Sequence, residues 1–244
     1  MSSQSEMSIK DFYEGKTVFL TGGTGFLGRL LLAKILRSTN VREIIMLCRP
    51  KKGKTNDERL DNIFNGFLFA NLKDRSKIKI VNGDMEIDGL DLSFDDRDYI
   101  TDNAQIILHG AATVRFDEQL QKAIKINVRG TKNMLELAAK AQNLMSFVHI
   151  STAYSQCPRL FIKETFYAPP MDYKLALKLL DEIANEDLKC LTTKLIHPWP
   201  NTYSFTKAVT EDMIRQNVNG LPISIIRPSV GELNLIVIET IQVA

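Results

Sequence analysis

Residues 17–28 read Thr17-Val18-Phe19-Leu20-Thr21-Gly22-Gly23-Thr24-Gly25-Phe26-Leu27-Gly28, a short apolar run that passes into glycines at three-residue spacing. Strong helix formers follow from Arg29 onward. Glycines at such a junction permit a tight turn, let the backbone approach a pyrophosphate, and let the helix pack against the sheet. The first N–H groups of the helix then face the anion. The stretch predicts a dinucleotide-binding loop, against the alternative of an ordinary strand–turn–helix corner.

The composition is that of an ordinary soluble domain. The chain has 244 residues, of which 44% are hydrophobic and 25% are charged, enough for one sizeable core with a small appended lobe. Lysine and arginine total 31 against 29 acidic residues, a net charge of +2, which gives no case for nucleic acid binding.

The cysteines and the termini bear on location. Cys48, Cys157 and Cys190 form no Cys-x-x-Cys pair and do not cluster with histidines, so we expect reduced thiols in a cytosol-facing protein and no metal site. The first six residues are polar and lack the apolar centre of a signal peptide. Every apolar run falls short of a membrane span of about 20 residues, so we expect no span in this chain.

The loop after the second strand predicts which dinucleotide is bound. Residues 43–48 are apolar throughout and end at Arg49, about 20 residues after Gly28, where an NAD-specific site places an acidic side chain. Here the sequence is instead Arg49-Pro50-Lys51-Lys52-Gly53-Lys54. Cations at this position pair with a 2′-phosphate, so the loop favours NADPH over NADH. The alternative is a solvated basic loop.

Strand-like and helix-like patterns alternate along the chain. Strands are predicted at 77–81, 105–109, 145–150 and 221–229, and helices at 57–71, 173–188 and from 203 onward. Residues 118–127 and 130–142 are predicted to form one helical region that Gly130 interrupts. This alternation predicts an α/β fold with a Rossmann-type doubly wound parallel sheet and a small, incomplete substrate lobe. Residues 11–230 are expected to form the NADP-binding domain, which includes a substrate-side insert at 157–200, and 231–244 form an atypical tail.

Several side chains follow strands at the carboxyl edge, where open α/β sheets bind ligands. Asp84 accepts a bond from an adenine amino group or caps the next turn. Ala111 lies where a cofactor needs close backbone approach, and we expect His109, just before it, to be structural. Asn127, within a helical pattern, is either a backbone-bonding residue that kinks the helix or a surface polar residue.

The candidate catalytic residues come from two separate stretches of the sequence. Ser151 and Thr152 end the strand at 145–150, where hydroxyls are either catalytic or a cap. Tyr203 and Lys207 are four apart on a helix and share one face. We expect the Lys207 ammonium to lower the pKa of Tyr203 from about 10. Together with the glycine loop, the pair predicts an acid–base site.

At this point the chain resembles a known family. Residues 21–28, His149-Ile150-Ser151-Thr152-Ala153-Tyr154, the Tyr203-x-x-x-Lys207 pair and Arg227-Pro228-Ser229 are similar to extended short-chain dehydrogenases/reductases. Residues 47–53, 109–116 and 127–131 resemble the fatty acyl-CoA reductase branch, whose members use NADPH to make fatty alcohols from acyl-CoA.

The resemblance implies a role for each matching residue. Tyr203 would donate a proton, Lys207 would hold the ribose and tune Tyr203, and Thr152, or else Ser151, would orient the carbonyl. Arg49 would pair with the 2′-phosphate. The implied cofactor-binding set is Thr21, Gly22, Gly25, Phe26, Leu27, Gly28, Arg49, Asp84, Ala111 and Lys207.

The resemblance also implies a substrate and a location. Long-chain acyl-CoA would be reduced twice, through a held aldehyde, and Leu175, Leu179, Ile183 and Leu188 either cover its chain or pack on the core. By this resemblance the chain would face the cytosol at a peroxisomal or endoplasmic reticulum membrane surface, with peripheral association. Members continue well past Arg227-Pro228-Ser229, and the tail differs from that continuation, so we expect a C-terminally shortened member. The oligomeric state, the organelle, the length and saturation of the acyl chain and the activity of the shortened chain stay open.

Two other functions stay open from the sequence. The first is a non-catalytic NADP-binding module. The second is an extended short-chain reductase acting on a sugar nucleotide or a steroid.

Overall fold

The strands and helices of the computed structural model follow the predicted alternation. The structure describes residues 8–50, 53, 55–72 and 75–229, together with the backbone of 238–242. The strands within these residues are Thr17–Thr21 (β1), Glu43–Cys48 (β2), Ile78–Asn82 (β3), Ile106–His109 (β4), Ser146–Ile150 (β5), Ile223–Pro228 (β6) and Ile238–Gln242 (β7). The α-helices are Ile9–Tyr13 (α1), Phe26–Ser38 (α2), Asn56–Phe64 (α3), Phe94–Asn103 (α4), Leu120–Ala123 (α5), Gly130–Ala138 (α6), Tyr173–Glu182 (α7), Asn185–Ile196 (α8) and Thr202–Gln216 (α9).

The strands form one sheet whose order places β1 beside β4. The order is β3-β2-β1-β4-β5-β6-β7, with β1 to β6 parallel and β7 antiparallel to β6. The chain winds outward in one direction through β2 and β3 and in the other through β4, β5 and β6. The predicted doubly wound parallel sheet is therefore confirmed, and its switch point lies between β1 and β4.

Side chains that alternate along each strand supply a core on each face of the sheet. Val18 and Leu20 face a cluster shared with α2 and α3, whereas Phe19 faces a larger cluster shared with α6 and α9. The insert contributes to the larger cluster through Tyr173 and Ala176 of α7 and through Leu188 of α8. The insert therefore packs on the same core as the sheet.

Two predicted helices differ from those observed. The helical pattern of 173–188 breaks into α7 and α8 because the backbone is extended at Ile183 and non-helical at Ala184, the N-cap of α8. The single helical region predicted over 118–142 is present as α5, a π-helix at Ile124–Arg129 and α6, but the predicted interruption at Gly130 is wrong. Gly130 does not interrupt it, since its φ is −58°.

Within the part of the chain that the structure describes, no helix is both long enough and apolar enough to cross a membrane. The cationic residues Lys51, Lys52 and Lys54 and most of the 231–244 tail lie outside the described residues.

Candidate active site

The parallel strands bring the predicted site residues to one edge of the sheet. Thr21 ends β1 and is paired in register with His109 at the end of β4. His109 is in turn paired with His149 in β5, just before Ser151 and Thr152. The glycine loop and the hydroxyl pair, far apart in sequence, therefore lie on the same edge, two strands apart.

The glycines of the β1–α2 loop are required by its geometry. Gly22 has a φ of +76°, and a Cβ there would lie 2.6 Å from the carbonyl carbon of Gly110. A Cβ on Gly28 would overlap the carbonyl oxygen of Gly22. The backbone of the loop therefore lies against both the β4 end and the first turn of α2, as a phosphate-binding loop requires.

The N-terminus of α2 fits an anion. Gly25 is the N-cap residue and has no side chain with which to cap the helix. The first N–H groups of the helix, at Phe26, Leu27 and Gly28, have no partner within the helix, and the helix dipole adds partial positive charge there. The residues present therefore fit the pyrophosphate of a dinucleotide.

His109 is structural, as the sequence predicted, and its contacts define its tautomer. The Thr131 hydroxyl donates to the Asn127 carbonyl at 2.7 Å, so it accepts from Nε2–H of His109 at 2.9 Å. Nδ1 then accepts from the Thr21 hydroxyl at 2.7 Å, and the Thr21 oxygen accepts from the Ala111 N–H at 3.1 Å. Burial, and to a lesser extent the Lys207 charge, lowers the pKa of His109 from 6.5 to about 3, which keeps the ring neutral.

Arg49 and Asp84 lie at the ends of their strands as the sequence predicted. The Arg49 side chain is exposed, and its carbonyl accepts a bond from the Arg59 guanidinium at 2.6 Å. Asp84 Oδ1 accepts from the Glu86 N–H at 2.9 Å, which is the turn-capping contact weighed above. Their contacts with the 2′-phosphate and the adenine remain predictions.

Tyr203 is the second residue of α9, whose N-cap Asn201 accepts a bond from the Ser204 N–H at 2.8 Å. Burial raises the pKa of Tyr203 above 10.0, while a hydrogen bond with the Thr152 side chain lowers it by less. Thr152 and Tyr203 thus bring two hydroxyl groups together. The result is a protonated phenol beside a second hydrogen-bond donor.

Lys207 lies one turn farther along α9 and is 3% exposed. Its Nζ donates to the Ile150 carbonyl at 2.7 Å. Burial lowers the pKa of Lys207 from 10.5 to about 8, against a smaller raising effect of Glu211. The ammonium is thus held beneath the end of β5, close to the hydroxyl pair.

The expectation that Lys207 lowers the pKa of Tyr203 is wrong for this structure. The pKa of Tyr203 is raised, because burial of the ring outweighs the effect of its Thr152 contact. The reason is that Lys207 points to the Ile150 carbonyl, so the four-residue spacing places the two side chains on one face without pairing them.

Ser151 has a different partner from its neighbour. Its hydroxyl donates to Glu211 Oε1 at 2.5 Å, and the Ser155 hydroxyl donates to the same oxygen at 2.9 Å. Arg227 pairs with both oxygens of Glu211, at 3.0 Å through Nε and 2.7 Å through Nη2. Ser151 is therefore part of a buried ionic cluster, whereas Thr152 faces the phenol.

The sequence interpretation did not assign roles to Glu211 and Arg227. Both are buried, and Arg227 also donates to the carbonyls of Lys163 and Thr165 in the insert. For Glu211, the sequence did hold one indication of burial near the site: it lies four residues after Lys207, on the same buried face of α9. Asn127 is likewise buried, and its side chain bonds both backbone groups of Thr113. The surface alternative is therefore wrong, and Asn127 bonds backbone in the loop after β4 from within the π-helical segment of its helix.

The apolar residues of the insert mostly pack on the core. Leu188 is 1% exposed, and Leu179 and Ile183 are partly buried against the core, whereas Leu175 is 49% exposed. The packing alternative therefore holds for these three, and only Leu175 keeps a largely open side chain.

A parallel sheet with a glycine loop at its switch point, and with a tyrosine–lysine helix beside the next strand ends, has the architecture of an extended short-chain dehydrogenase/reductase domain. The chain belongs to the male sterility protein family, whose family model matches residues 20–231.

Named relatives support this placement. The chain is 43% identical over 232 residues to fatty acyl-CoA reductase wat of Drosophila melanogaster, covering 93% of this chain and 45% of the relative. It is 42% identical to human fatty acyl-CoA reductase 1, covering 92% of this chain and 45% of the relative. The chain thus spans about half the length of the curated relatives it matches.

A solved structure has the same fold. The terminal R domain of the myxalamid PKS-NRPS biosynthetic pathway superposes with a TM-score of 0.62 at 27% identity, covering 88% of this chain and 49% of that domain.

Proposed function

We propose that this chain carries the cofactor-binding and proton-donating part of an NADPH-dependent reductase that converts long-chain fatty acyl-CoA into fatty alcohol through a bound aldehyde. The observation that carries the proposal is the docking of α9 on the end of β5, where Lys207 Nζ donates to the Ile150 carbonyl at 2.7 Å. This contact brings Tyr203 and Thr152 to the same sheet edge as the glycine loop. The similarity to fatty acyl-CoA reductases supports the substrate class. By the same resemblance we infer peripheral association with a peroxisomal or endoplasmic reticulum membrane.

The cofactor would be held by residues of the β1–α2 loop and of the neighbouring strand ends. The N–H groups of Phe26, Leu27 and Gly28 would bind the pyrophosphate. Arg49 would pair with the 2′-phosphate, Asp84 would contact the adenine, and Lys207 would hold the ribose. The remaining contacts would come from the loop and strand-end residues Thr21, Gly22, Gly25 and Ala111.

A bound nicotinamide supplies hydride, and two hydride transfers with two protons convert a thioester into an alcohol and a free thiol. Tyr203 keeps its proton at neutral pH because burial raises its pKa. It can therefore donate that proton to the oxygen on which negative charge develops. The Thr152 hydroxyl would hold the same oxygen, so the two donors would define where the carbonyl lies.

The experiment follows cofactor consumption and product together. The full chain is incubated with palmitoyl-CoA and either NADPH or NADH, and the alcohol is identified by mass spectrometry. We expect NADPH to be preferred, with two consumed for each alcohol formed. Tyr203→Phe lowers kcat by about 10²- to 10⁴-fold and leaves NADPH affinity unchanged.

Tyr13→Phe is the matched control, because Tyr13 lies in α1, before β1 at the opposite edge of the sheet. NADPH binding without turnover of any acyl-CoA would instead support the non-catalytic module. Turnover confined to sugar nucleotides or steroids would support the other reductase class.

A further inference from the structure

The loop between β4 and α5, residues 110–119, is fixed at its first half by Asn127. The Asn127 amide accepts from the Thr113 N–H at 2.9 Å and donates to the Thr113 carbonyl at 3.2 Å. Nδ2 also lies 3.0 Å from the Thr206 hydroxyl of α9. Because Asn127 is 1% exposed, this contact anchors the loop to the interior.

The second half of the same loop is tied to the helix that carries Tyr203. The Thr202 hydroxyl donates to the Glu118 carbonyl at 2.9 Å, and the Thr113 hydroxyl donates to Glu118 Oε2 at 3.1 Å. Thr202 is the first residue of α9 and directly precedes Tyr203. The loop tip is therefore positioned relative to the phenol by bonds on both sides.

Phe116 stands at that tip, against the phenol. The rings of Phe116 and Tyr203 are stacked, with centroids 6.2 Å apart and planes 24° apart. Phe116 is nevertheless 69% exposed, and Val114 beside it is 62% exposed. One face of Phe116 thus rests on Tyr203 while much of the ring stays open, an arrangement that contributes little burial to the fold.

We propose that Phe116 is a specificity-determining residue whose open face binds the first methylene groups of an acyl chain while Tyr203 binds the carbonyl oxygen of the same acyl group. This inference rests on the proposed function. An oxygen bonded to the phenol lies about 2.7 Å from it, so the carbons attached to that carbonyl lie beside the stacked ring. An apolar chain gains by covering Phe116, whereas a hydroxylated substrate loses hydration there.

The test measures binding as well as turnover. Dissociation constants of palmitoyl-CoA and of acetyl-CoA, whose acyl group has no methylene, are determined by calorimetry in the presence of NADP⁺ for the full chain and its variants. Phe116→Ala is expected to reduce the preference for palmitoyl-CoA by about tenfold and to raise KM more than it lowers kcat. Phe116→Leu, which keeps an apolar surface, restores most of the preference.

Phe67→Ala is the matched control, since Phe67 is 75% exposed and lies between α3 and β3, away from the site edge. A thermal unfolding midpoint and an NADP⁺ affinity equal to those of the parent establish that each variant is folded. If Phe116→Ala keeps the chain-length preference of the parent, the inference is overturned and the proposed function stands. If the parent neither binds nor reduces any acyl-CoA, both fail.

Discussion

At the scale of single residues, the adjacent hydroxyl groups of Ser151 and Thr152 have different surroundings. The backbone at Thr152 is extended, with φ −157° and ψ 148°, so successive side chains point in opposite directions. Ser151 is directed at Glu211 in the interior, while Thr152 is directed at the phenol of Tyr203. Of the two hydroxyls, we therefore propose Thr152 as the one that holds a substrate oxygen.

Replacing each hydroxyl is therefore expected to give a different defect. Thr152→Val removes a donor from the reacting oxygen and lowers kcat by about a hundredfold. It also removes the cap that the Thr152 hydroxyl gives to the Tyr154 N–H, at a cost of about 0.5–2 kcal/mol in the free energy of unfolding. Ser151→Ala removes a hydrogen bond to a buried carboxylate and destabilises the fold by about 1.5–3 kcal/mol, with a smaller effect on kcat. Steady-state kinetics and urea unfolding separate the two defects.

The reverse pattern would reject this assignment. If Ser151→Ala abolished turnover at unchanged stability while Thr152→Val remained active, Ser151 would be the hydroxyl that orients the carbonyl.

At the scale of elements, the junction of β1 and α2 depends on how closely three backbone segments approach. Gly22 has both a positive φ and a neighbouring backbone within 2.6 Å of the position of a Cβ. Gly15 has a positive φ of +65° but nothing within 4 Å of that position. Gly15 is therefore required only for its positive φ, whereas Gly22 is required both for its positive φ and for the close approach of the Gly110 backbone.

Gly15→Ala is expected to cost about 1–2 kcal/mol through the left-handed backbone alone, with the NADPH dissociation constant unchanged. Gly22→Ala should cost more, because its Cβ would also push the Gly110 backbone away. It should weaken NADPH binding as well, because the same displacement moves the N–H groups at the start of α2. Urea unfolding and fluorescence titration with NADPH measure the two effects.

Equal losses of stability in the two variants, with NADPH affinity retained in both, would mean that the contact between Gly22 and Gly110 does not shape the binding loop.

At the scale of the whole molecule, three ionisable side chains are buried together where β4, β5 and α9 meet. The rings of His109 and His149 lie 5.3 Å apart. Burial lowers the pKa of His149 well below 6.5, and the charges of Lys207 and His109 add to that effect. Neither ring nitrogen of His149 has a hydrogen-bond partner among the described residues, so nothing there stabilises a protonated ring.

The stability of the fold should therefore decline in acid. The unfolded chain takes up protons on both histidines below about pH 6.5, whereas folded His109 does so only near pH 3. The free energy of unfolding is therefore highest above pH 6.5 and falls as the pH drops from 6.5 toward the folded pKa of each histidine. Each histidine contributes a slope of up to about 1.4 kcal/mol per pH unit. His149→Leu should reduce this slope in urea unfolding measured between pH 6.5 and pH 4.5.

A slope unchanged in His149→Leu would show that His149 titrates alike in the folded and unfolded chain. The comparison requires that His149→Leu is folded at pH 7.5, which near-ultraviolet circular dichroism checks.

Much of the fold could be predicted because its signals are local. The apolar run of 43–48 and the strand pattern of 145–150 were found within about a residue of their observed bounds, since a buried parallel strand needs consecutive apolar side chains. The break between α7 and α8 could not be predicted, because the apolar spacing of 173–188 continues through it. The strand β7 was not predicted either, as its pairing depends on β6.

The sequence by itself determined the order of strands and helices, the glycine loop and the shared face of Tyr203 and Lys207, because each depends on residues a few positions apart. Tertiary structure alone decided that Thr152 and not Ser151 meets the phenol, that Glu211 pairs with Arg227, and that Phe116 stacks on Tyr203. It also reversed the expected direction of the Tyr203 pKa. Burial and contacts between distant segments set these outcomes, and neither has a local period that a sequence displays.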